Sequence, residues 1–344
     1  MNKIFITFLA AGALFSTPQV SSQETPKAPD AMSYLPELHG TIRTKYEYEP
    51  QIGKGRFEVR NARLSVEGKV VPTVGYKAEI DLSDEGAIKM LDAYVRYQPR
   101  KWLRFTAGQM RVPFTIDAHR SPHLQYFANR SFIAKQVGNV RDVGAAVAWS
   151  FGRGVPVTLE GGIFNGSGLT NQKNFWTDDL NFSVKASAMF VRHLNVTLSC
   201  QKARAGDVNV MMYDAGSFWE AGRWHVEAEY LRKHYARGAF RAVNAVDAFA
   251  AYRLPLTKVA QAISFLGRYD YMSDHSNGIR DDSGALTVND PARHRLTAGA
   301  TLSLGRGRLQ ADVRLNYEQY FYAEGVTPGI SDRNKLVLEF VAHF

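Results

Sequence analysis

Residues 91–116 read LDAYVRYQPRKWLRFTAGQMRVPFTI and contain two alternating segments joined by a short turn. Side chains alternate faces along a β-strand, so each segment presents one apolar and one polar face. We place the turn at Pro99, Arg100 and Lys101, and the second strand ends near Pro113, which cannot donate to a ladder. About 25 irregular residues follow. Strand, tight turn, strand and long loop is typical of an outer-membrane barrel, although a hairpin of a soluble β-sandwich alternates in the same way. In the first of the two alternating segments, the apolar face consists of Leu91, Ala93, Val95 and Tyr97, and the polar face consists of Asp92, Tyr94 and Arg96.

The same pattern continues along the chain and predicts an all-β protein without a long helical stretch. Sixteen segments alternate, several of them long enough to cross a bilayer at a tilt. The predicted strands are 37–48, 56–69, 72–83, 88–98, 101–112, 142–152, 155–165, 179–192, 194–204, 208–219, 223–234, 241–253, 260–272, 292–304, 307–321 and 333–344.

The connections between these segments alternate between short and long. The long ones include 113–141, 166–178, 273–291 and 322–332. Short turns on one rim and long loops on the other are typical of a bacterial barrel, whereas a soluble sandwich has no reason to segregate them. The segments 49–55, 84–87 and 205–207 are short for external loops. The alternation of short and long connections therefore favours the barrel. Because sixteen strands are an even number, both chain ends are expected at the periplasmic rim.

The polar faces carry charges of both signs in strand after strand. Val226 and Tyr230, for example, alternate with His225, Glu227 and Glu229. A soluble β-protein buries its apolar face, and charged inner faces instead fit a water-filled lumen with lipid outside. We therefore predict a transmembrane antiparallel β-barrel of about 16 strands.

The N-terminus has the features of a secretory signal. Lys3 is followed by an apolar stretch through Phe15, and Val20 and Ser22 suit cleavage before Gln23. We assign 1–22 as signal peptide, 23–36 as a flexible lead and 37–344 as the barrel. No run of 18 apolar residues exists, so no transmembrane helix is expected.

Composition excludes some classes of partner and site. The formal net charge of +9 falls to +8 without the signal peptide, and no basic block suggests nucleic acid. The single cysteine, Cys200, excludes an internal disulfide framework and is interpreted as a small apolar residue on the bilayer face. The acidic pairs at 178–179 and 281–282 lack the ligand spacing of a known Ca²⁺ loop. We predict neither a metal nor a cofactor.

The last segment alternates up to the final residue, Phe344. An alternating strand that ends on an aromatic resembles the signal read by the bacterial outer-membrane assembly machinery. Phe344 is therefore the candidate assembly residue.

A series of motifs resembles one family, the phosphate-selective porin O and P family of outer-membrane porins. The motifs are LDAYVRY, GQMRVPF, RDVG at 141–144 and GIFNG at 162–166, in that order. Upstream, Arg60-Asn61-Ala62-Arg63-Leu64 is similar to the family's arginine-bearing second strand, where two adjacent arginines are often found. Here Asn61 follows Arg60, which departs from that pattern.

The resemblance implies a homotrimer of sixteen-stranded barrels whose loop after the fifth strand folds into the pore. Residues 113–141 are the matching loop, so its Arg120, Arg130 and Lys135 are candidates for the constriction. Arg63, Arg96 and Arg104 lie on inferred polar faces and are candidates for the wall. Arg60 has the opposite parity to Arg63, so both can face the lumen only across a β-bulge.

We expect an outer-membrane porin for small hydrophilic solutes with a mild preference for anions, phosphate among them. Guanidinium groups stay charged and bind phosphate or carboxylate with paired N–H donors. Asp92, Glu227 and Glu318 share the inferred lumen and would weaken that preference. The alternatives are an adhesin or receptor barrel without channel activity, and an outer-membrane enzyme. No Ser-His-acid arrangement can be placed, so no catalytic residue is predicted.

Overall fold

The computed structural model describes residues 34–138, 140–170, 172–205, 208–257, 260–306 and 308–344. The predicted signal peptide and all but the last three residues of the predicted lead lie outside this part. Among the described residues, no helix is long and apolar enough to span a membrane.

Sixteen of the strands close into one antiparallel barrel, which confirms the predicted architecture. Each barrel strand pairs with its neighbour in the chain, and β1 pairs with β18 to complete the ring. Closure leaves no open sheet edge, as a membrane-spanning sheet requires. The barrel strands are β1 (Glu37–Glu49), β2 (Lys54–Val71), β3 (Val74–Asp84), β4 (Ala87–Arg100), β5 (Leu103–Arg111), β6 (Arg141–Phe151), β7 (Val157–Phe164), β8 (Asn181–Val191), β9 (Leu194–Ala205), β10 (Val208–Ala221), β11 (Trp224–Tyr235), β12 (Val243–Pro255), β13 (Ala262–Met272), β16 (Arg293–Arg306), β17 (Leu309–Tyr322) and β18 (Lys335–His343).

The ladder registers confirm the predicted two-faced pattern. Val226 pairs with Trp219 and Ala250 on the outward face, and Val226 is exposed. Its neighbour Glu227 is 1% exposed on the inner face. Cys200 pairs with Val184 and Tyr213 in an outward row, as its apolar surroundings in the sequence predicted. Apolar side chains thus cover the outside, and charged ones line the inside.

The predicted boundaries need three corrections. First, β4 continues through Arg100, so the turn to β5 consists of Lys101 and Trp102 rather than Pro99–Lys101. Second, Leu91 lies at a register shift of the β3–β4 ladder and is buried, so it does not share the outward face of Val95. Third, the predicted loop 273–291 contains a separate hairpin of β14 (His275–Arg280) and β15 (Leu286–Asp290), outside the barrel ladder.

The C-terminal residue completes the seam between the first and last barrel strands. The N–H of Gly40 donates to the carbonyl of Phe344 at 3.0 Å, and the N–H of Phe344 donates back at 3.1 Å. A Cβ at Gly40 would lie 2.3 Å from the Phe344 ring, so the ring packs directly over this glycine. Phe344 therefore extends the closing ladder by one residue pair.

Candidate permeation pathway

Residues 112–138, which follow β5 and are named here the lumenal loop, lie inside the barrel. Its backbone and side chains contact inner-face residues of β1, β8, β9, β11, β13, β16 and β17. It contains one short helix, α1 (Phe132–Val137), whose first turn is capped by the Ser131 hydroxyl. This confirms the predicted loop folded into the pore.

Basic side chains of the wall hold the loop by its carbonyl oxygens. The ammonium groups of lysine and the guanidinium groups of arginine donate to these oxygens, because a carbonyl oxygen that is buried away from water needs a hydrogen-bond donor. The bonds join Lys185 to Thr115 (2.6 Å), Arg314 to His123 (3.3 Å), Arg43 to Ala128 (2.9 Å), Arg268 to Asn129 (3.1 Å), Arg295 to Arg130 (2.8 Å) and Lys233 to Gln136 (3.1 Å). These cations are therefore committed to holding the loop in place.

Acidic and amide groups of the wall accept the loop's N–H groups. Glu229 accepts from the N–H groups of Ile116 and Asp117, and Asp270 accepts from that of Phe132 at 3.2 Å. Asn316 accepts from the N–H of Ala128 at 2.8 Å. The loop is thus bound at both its donors and its acceptors.

Two buried ion networks anchor this arrangement. In the first, Asp270 accepts from Arg295 at 2.8 Å and pairs with Arg268 at 2.8 Å. In the second, Glu339 lies between Arg43 at 2.6 Å and Arg314 at 3.0 Å. Buried charges are tolerated when they are paired, and in each network one carboxylate lies between two guanidinium groups.

An apolar cluster inside the barrel seats the helix of the loop. Phe132 and Ile133 are fully buried against inward-facing apolar residues near the outer ends of β10–β13. The inner face of these strands is therefore not uniformly polar, contrary to the simplest form of the sequence pattern. The cluster includes Val210, Met212, Leu231, Tyr235, Val243, Ala245 and Met272.

Lumenal arginines of β2 and β5 are more exposed than those under the loop. Guanidinium side chains under the loop are almost fully buried, with Arg43 at 2% and Arg295 at 0% exposure. On the other wall, Arg60 is 44% and Arg104 24% exposed. A lumenal side chain gains exposure only from lumenal water, so water reaches the wall at Arg60 and Arg104.

The predicted wall arginines all face the lumen. Arg63 pairs with Asp81 at 2.9 Å and Glu79 at 3.3 Å. Arg104 pairs with Glu160 across to β7. Arg96 donates to the Tyr94 hydroxyl at 3.1 Å and lies over its ring. Arg96 makes no ion pair with any residue in the described part of the chain.

Arg60 faces the lumen because the ladder contains the bulge that its parity requires. Arg43 pairs with Asn61 and Thr44 pairs with Val59, which leaves Arg60 as an extra residue in β2. Its guanidinium lies 3.7 Å from Glu58, a lumenal acid that also contacts Lys45.

The three loop candidates have different surroundings. Arg120 pairs with Glu227 at 2.5 Å and Asp117 at 3.1 Å and stacks on Tyr126, so it is structural. Lys135 pairs with Asp332 at 3.2 Å near the outer rim and is half exposed. Arg130 makes no side-chain hydrogen bond or ion pair with any residue from 34 to 344 that the structure describes.

The positive charges of the two β2 arginines act on Arg130. Burial lowers the pKa of Arg130 to about 10; the charge of Asp117 opposes this, and the positive charges of Arg63 and Arg60 add to it. Arg130 therefore remains charged at neutral pH. We name Arg60, Arg63 and Arg130 the arginine triad.

Lumenal acids pair with arginines as the sequence suggested. Asp92 accepts from Arg141 at 2.6 Å, Glu227 pairs with Arg120, and Glu318 lies 3.4 Å from Arg295. Each pair cancels charge locally, which reduces the net field in the lumen.

The motif residues of 141–168 form a structural unit. The Asp142 carboxylate accepts from the N–H groups of Val143 at 2.8 Å, Gly166 at 2.6 Å and Gly168 at 3.2 Å. Gly166 and Gly168 have φ values of 89° and 65°, which favour glycine. The RDVG and FNGSG segments therefore meet to shape the β7–β8 loop.

Sequence reasoning missed most of the cations that hold the loop. Arg43, Arg268 and Arg295 lie on inner faces of strands that it had placed correctly, so strand parity could have found them. Strand parity does not distinguish a cation that binds the lumenal loop from one that lines the water-filled lumen.

Comparisons with known proteins support a porin. Residues 42–209 match the family model described as phosphate-selective porin O and P, which confirms the predicted resemblance over that range. A protein of Caulobacter vibrioides described as uncharacterized is 31% identical over 107 residues, 31% of this chain and 21% of that protein. The chain thus spans about a fifth of the curated relative it matches.

Solved structures share the fold at low sequence identity. The outer membrane channel DcaP of Acinetobacter baumannii matches with a TM-score of 0.62 and 12% identity, over 92% of this chain and 99% of that chain. An anion-selective porin from Comamonas acidovorans matches with 0.62 and 12%, over 90% and 98%. OmpT of Vibrio cholerae in its trimer form matches with 0.59 and 11%, over 91% and 99%.

Proposed function

We propose that the chain is a bacterial outer-membrane porin whose lumen passes small hydrophilic solutes with a mild preference for anions, phosphate among them. The selective point is the arginine triad, in which the charges of Arg60 and Arg63 on β2 act on Arg130 of the lumenal loop. The observation that carries this proposal is the Arg130 guanidinium, which is charged and has no partner among the described residues.

An unpaired guanidinium at a narrow point of the lumen supplies the hydrogen-bond donors and the positive charge that a passing anion needs. It presents a fork of N–H donors that matches the oxygens of phosphate or carboxylate. Arg60 and Arg63 add positive charge on the opposing wall, which raises the local concentration of anions and repels cations. A passing anion therefore replaces part of its hydration shell without a dedicated binding pocket.

Further cations extend this field along the open wall. Arg96 and Arg104 lie in the half of β4 and β5 nearest the short turn, and Lys77 lies on β3 between them and Arg63. Several weak sites in series let an ion enter without trapping it. This supports steady diffusion instead of tight capture.

The preference is mild because most lumenal charge is paired. Arg63 shares two acids and Arg104 shares one, so only part of their charge acts on a solute. Salt at physiological ionic strength screens fields beyond about 8 Å. Asn61 also stands where related chains often carry a second arginine, which argues for preference without strict phosphate selectivity.

Replacement of Arg130 by Gln tests the proposal. A unit charge about 5 Å away is worth about 0.8 kcal/mol in water, so the local anion concentration is expected to fall roughly three- to fourfold, and the anion-to-cation permeability ratio is expected to fall with it. Reversal potentials in planar bilayers under a salt gradient measure this ratio. The matched control is Lys135→Gln, which removes one charge from the same loop but lies at the rim beside Asp332.

The outcome separates the triad from the loop's general charge. The proposal is supported if the reversal potential of Arg130→Gln shifts toward cation selectivity while that of Lys135→Gln changes little. Equal reversal potentials for Arg130→Gln and the unchanged protein would overturn it, provided both barrels resist unfolding in cold detergent.

We further propose that the barrel is processed and assembled as a homotrimer. The fold it shares with a relative solved in a trimer form supports the trimer, and the apolar stretch after Lys3 supports removal of residues 1–22. Light scattering of the purified protein measures the first, and N-terminal sequencing of protein from the outer membrane measures the second. A monomer, or a mature chain that begins at Met1, would contradict the respective part.

A further inference from the structure

The outward face of the barrel has one basic patch at the outer ends of β9–β11. Along the outward rows of the other barrel strands, apolar, small and aromatic side chains predominate. On β11, Arg232 pairs in register with Tyr213 and Asn244, both outward, and His234 follows two residues later, opposite Met211. On β9, Lys202 also pairs with Met211 and so lies in the row of His234, and Arg204 lies one outward position farther toward the rim, opposite Asn209. We name these four residues the rim patch.

Aromatic residues show the depth of this patch in the bilayer. Tyr213 lies beside Arg232, and Tyr230 lies one outward position deeper and donates to Asn244 at 2.8 Å. Tyrosines concentrate at the level of the lipid headgroups. The rim carries the lumenal loop and the other long loops, which places it at the outer surface. Arg232 therefore lies among the headgroups of the outer leaflet.

Two charged groups of the patch, those of Arg232 and His234, are available to a ligand. Arg232 and His234 are exposed and make no hydrogen bond or ion pair with any residue in the described ranges of the chain. Lys202 is held by Asp179 of the β7–β8 loop, which fixes one side of the patch. An arginine on the lipid face costs little only near the interface, where an anionic headgroup can pair with it.

We propose that the rim patch binds a phosphorylated glycolipid of the outer leaflet through its phosphate groups. Strands lie about 4.8 Å apart, so Lys202 on β9 and His234 on β11 are separated by about 10 Å. Arg232 lies one outward position nearer the membrane and can take one phosphate with two parallel N–H bonds. The Asn244 amide and the Tyr213 hydroxyl flank that position and can bond the sugar. The patch thus fits a headgroup with more than one phosphate.

Lipid titration of the intact, delipidated barrel in detergent tests this site. The probe is bisphosphorylated lipid A, compared with the same lipid after removal of both phosphates and with phosphatidylglycerol. Binding is measured by native mass spectrometry. The test variant is Arg232→Gln with His234→Gln. The matched control is Arg192→Gln with His193→Gln, an exposed pair of the same residue types in the short β8–β9 turn at the opposite rim.

Loss of one basic group near a lipid surface weakens binding by about fivefold. We expect at least that loss in the test variant, no loss in the control and weak binding of the dephosphorylated lipid to all three proteins. Arg232→Lys keeps the charge and loses the paired donors, so it is expected to bind with intermediate affinity and serves if the double variant fails to fold.

Three results would overturn the proposal. Equal lipid A affinity of the test variant and the control removes the rim patch as the site. Equal binding of the phosphorylated and dephosphorylated lipids to the unchanged protein removes phosphate as the ligand. Phosphatidylglycerol that binds as tightly as lipid A shows nonspecific attraction of any anionic lipid.

Discussion

Asp270 holds two arginines and the start of α1, so its replacement by Asn is expected to free the lumenal loop. One carboxylate oxygen accepts from Nε of Arg295 at 3.0 Å and Nη2 at 2.8 Å, and Arg268 contributes at 2.8 Å. The other accepts from the N–H of Phe132 at 3.2 Å. Asn keeps the shape and one acceptor but removes the negative charge.

The energetic cost follows from the burial of these groups. Asp270 and Arg295 have no exposed surface, and breaking a buried pair costs about 3–5 kcal/mol because a charge stays buried without its partner. Glu318 at 3.4 Å and Asp247 at 3.8 Å remain near the two arginines and offset part of the loss. We therefore expect the free energy of unfolding to fall by about 3–4 kcal/mol.

Two measurements check this prediction. Urea unfolding in lipid vesicles, followed by tryptophan fluorescence, gives the change in stability. Single-channel recording is expected to show higher and noisier conductance, because the single amide oxygen of Asn cannot accept from both Arg295 and the N–H of Phe132 as the two carboxylate oxygens do. The control is Asp281→Asn, an exposed carboxylate that caps its own turn in the β14–β15 hairpin. Its effect on unfolding is expected to stay within about 0.5 kcal/mol.

The reasoning would be refuted by an Asp270→Asn barrel with unchanged unfolding and unchanged conductance. A double-mutant cycle with Arg295→Gln adds a second check. Direct partners show a coupling energy of about 0.5–3 kcal/mol, and simple additivity would mean that the pair does not act as a unit.

Three further predictions follow from the fold and the pathway. Phe344→Lys is expected to leave less heat-modifiable barrel in the outer membrane, because the ring packs over Gly40 at the closing seam; normal levels would contradict this. A tag in the β14–β15 hairpin at 282 is expected to be accessible on intact cells and one at Arg223 in a short turn is not, and equal labelling would reject the topology. Replacing Arg63, Arg96 and Arg104 together with Gln is expected to shift the reversal potential toward cation selectivity, because Asp81 and Glu160 lose their partners. An unchanged reversal potential would show that these arginines do not determine selectivity.

Strand parity carried most of the successful prediction. Alternation alone placed Arg63, Arg96 and Arg104 on the inner face, because the lipid outside and the lumen inside demand opposite chemistry. It also showed that Arg60 needs a bulge, and the ladder contains one between Val59 and Asn61. The local alternation of the sequence was sufficient to predict the facing of a side chain wherever lipid or lumenal water determines its type.

Pattern failed where a distant segment selects the side chain. Leu231 and Met272 face inward although they are apolar, because α1 covers them. Arg43 and Arg314 were not singled out as loop anchors, since nothing within a few residues announces a carbonyl that comes from residues 123–128. The path of the loop through the lumen is a property of the closed barrel and is absent from any one strand.

The contacts of the lumenal loop also imply an order of events during biogenesis. Arg43, which binds the loop, precedes its Gln125 and Ala128 partners by 82 and 85 residues, while Asn316 follows Ala128 by 188 residues. These wall groups become neighbours only after β1 has joined β18, and contacts so distant in the chain form late. We therefore expect closure of the wall to precede docking of the loop, so that each newly inserted barrel passes through a wide, unselective state before it becomes a filter.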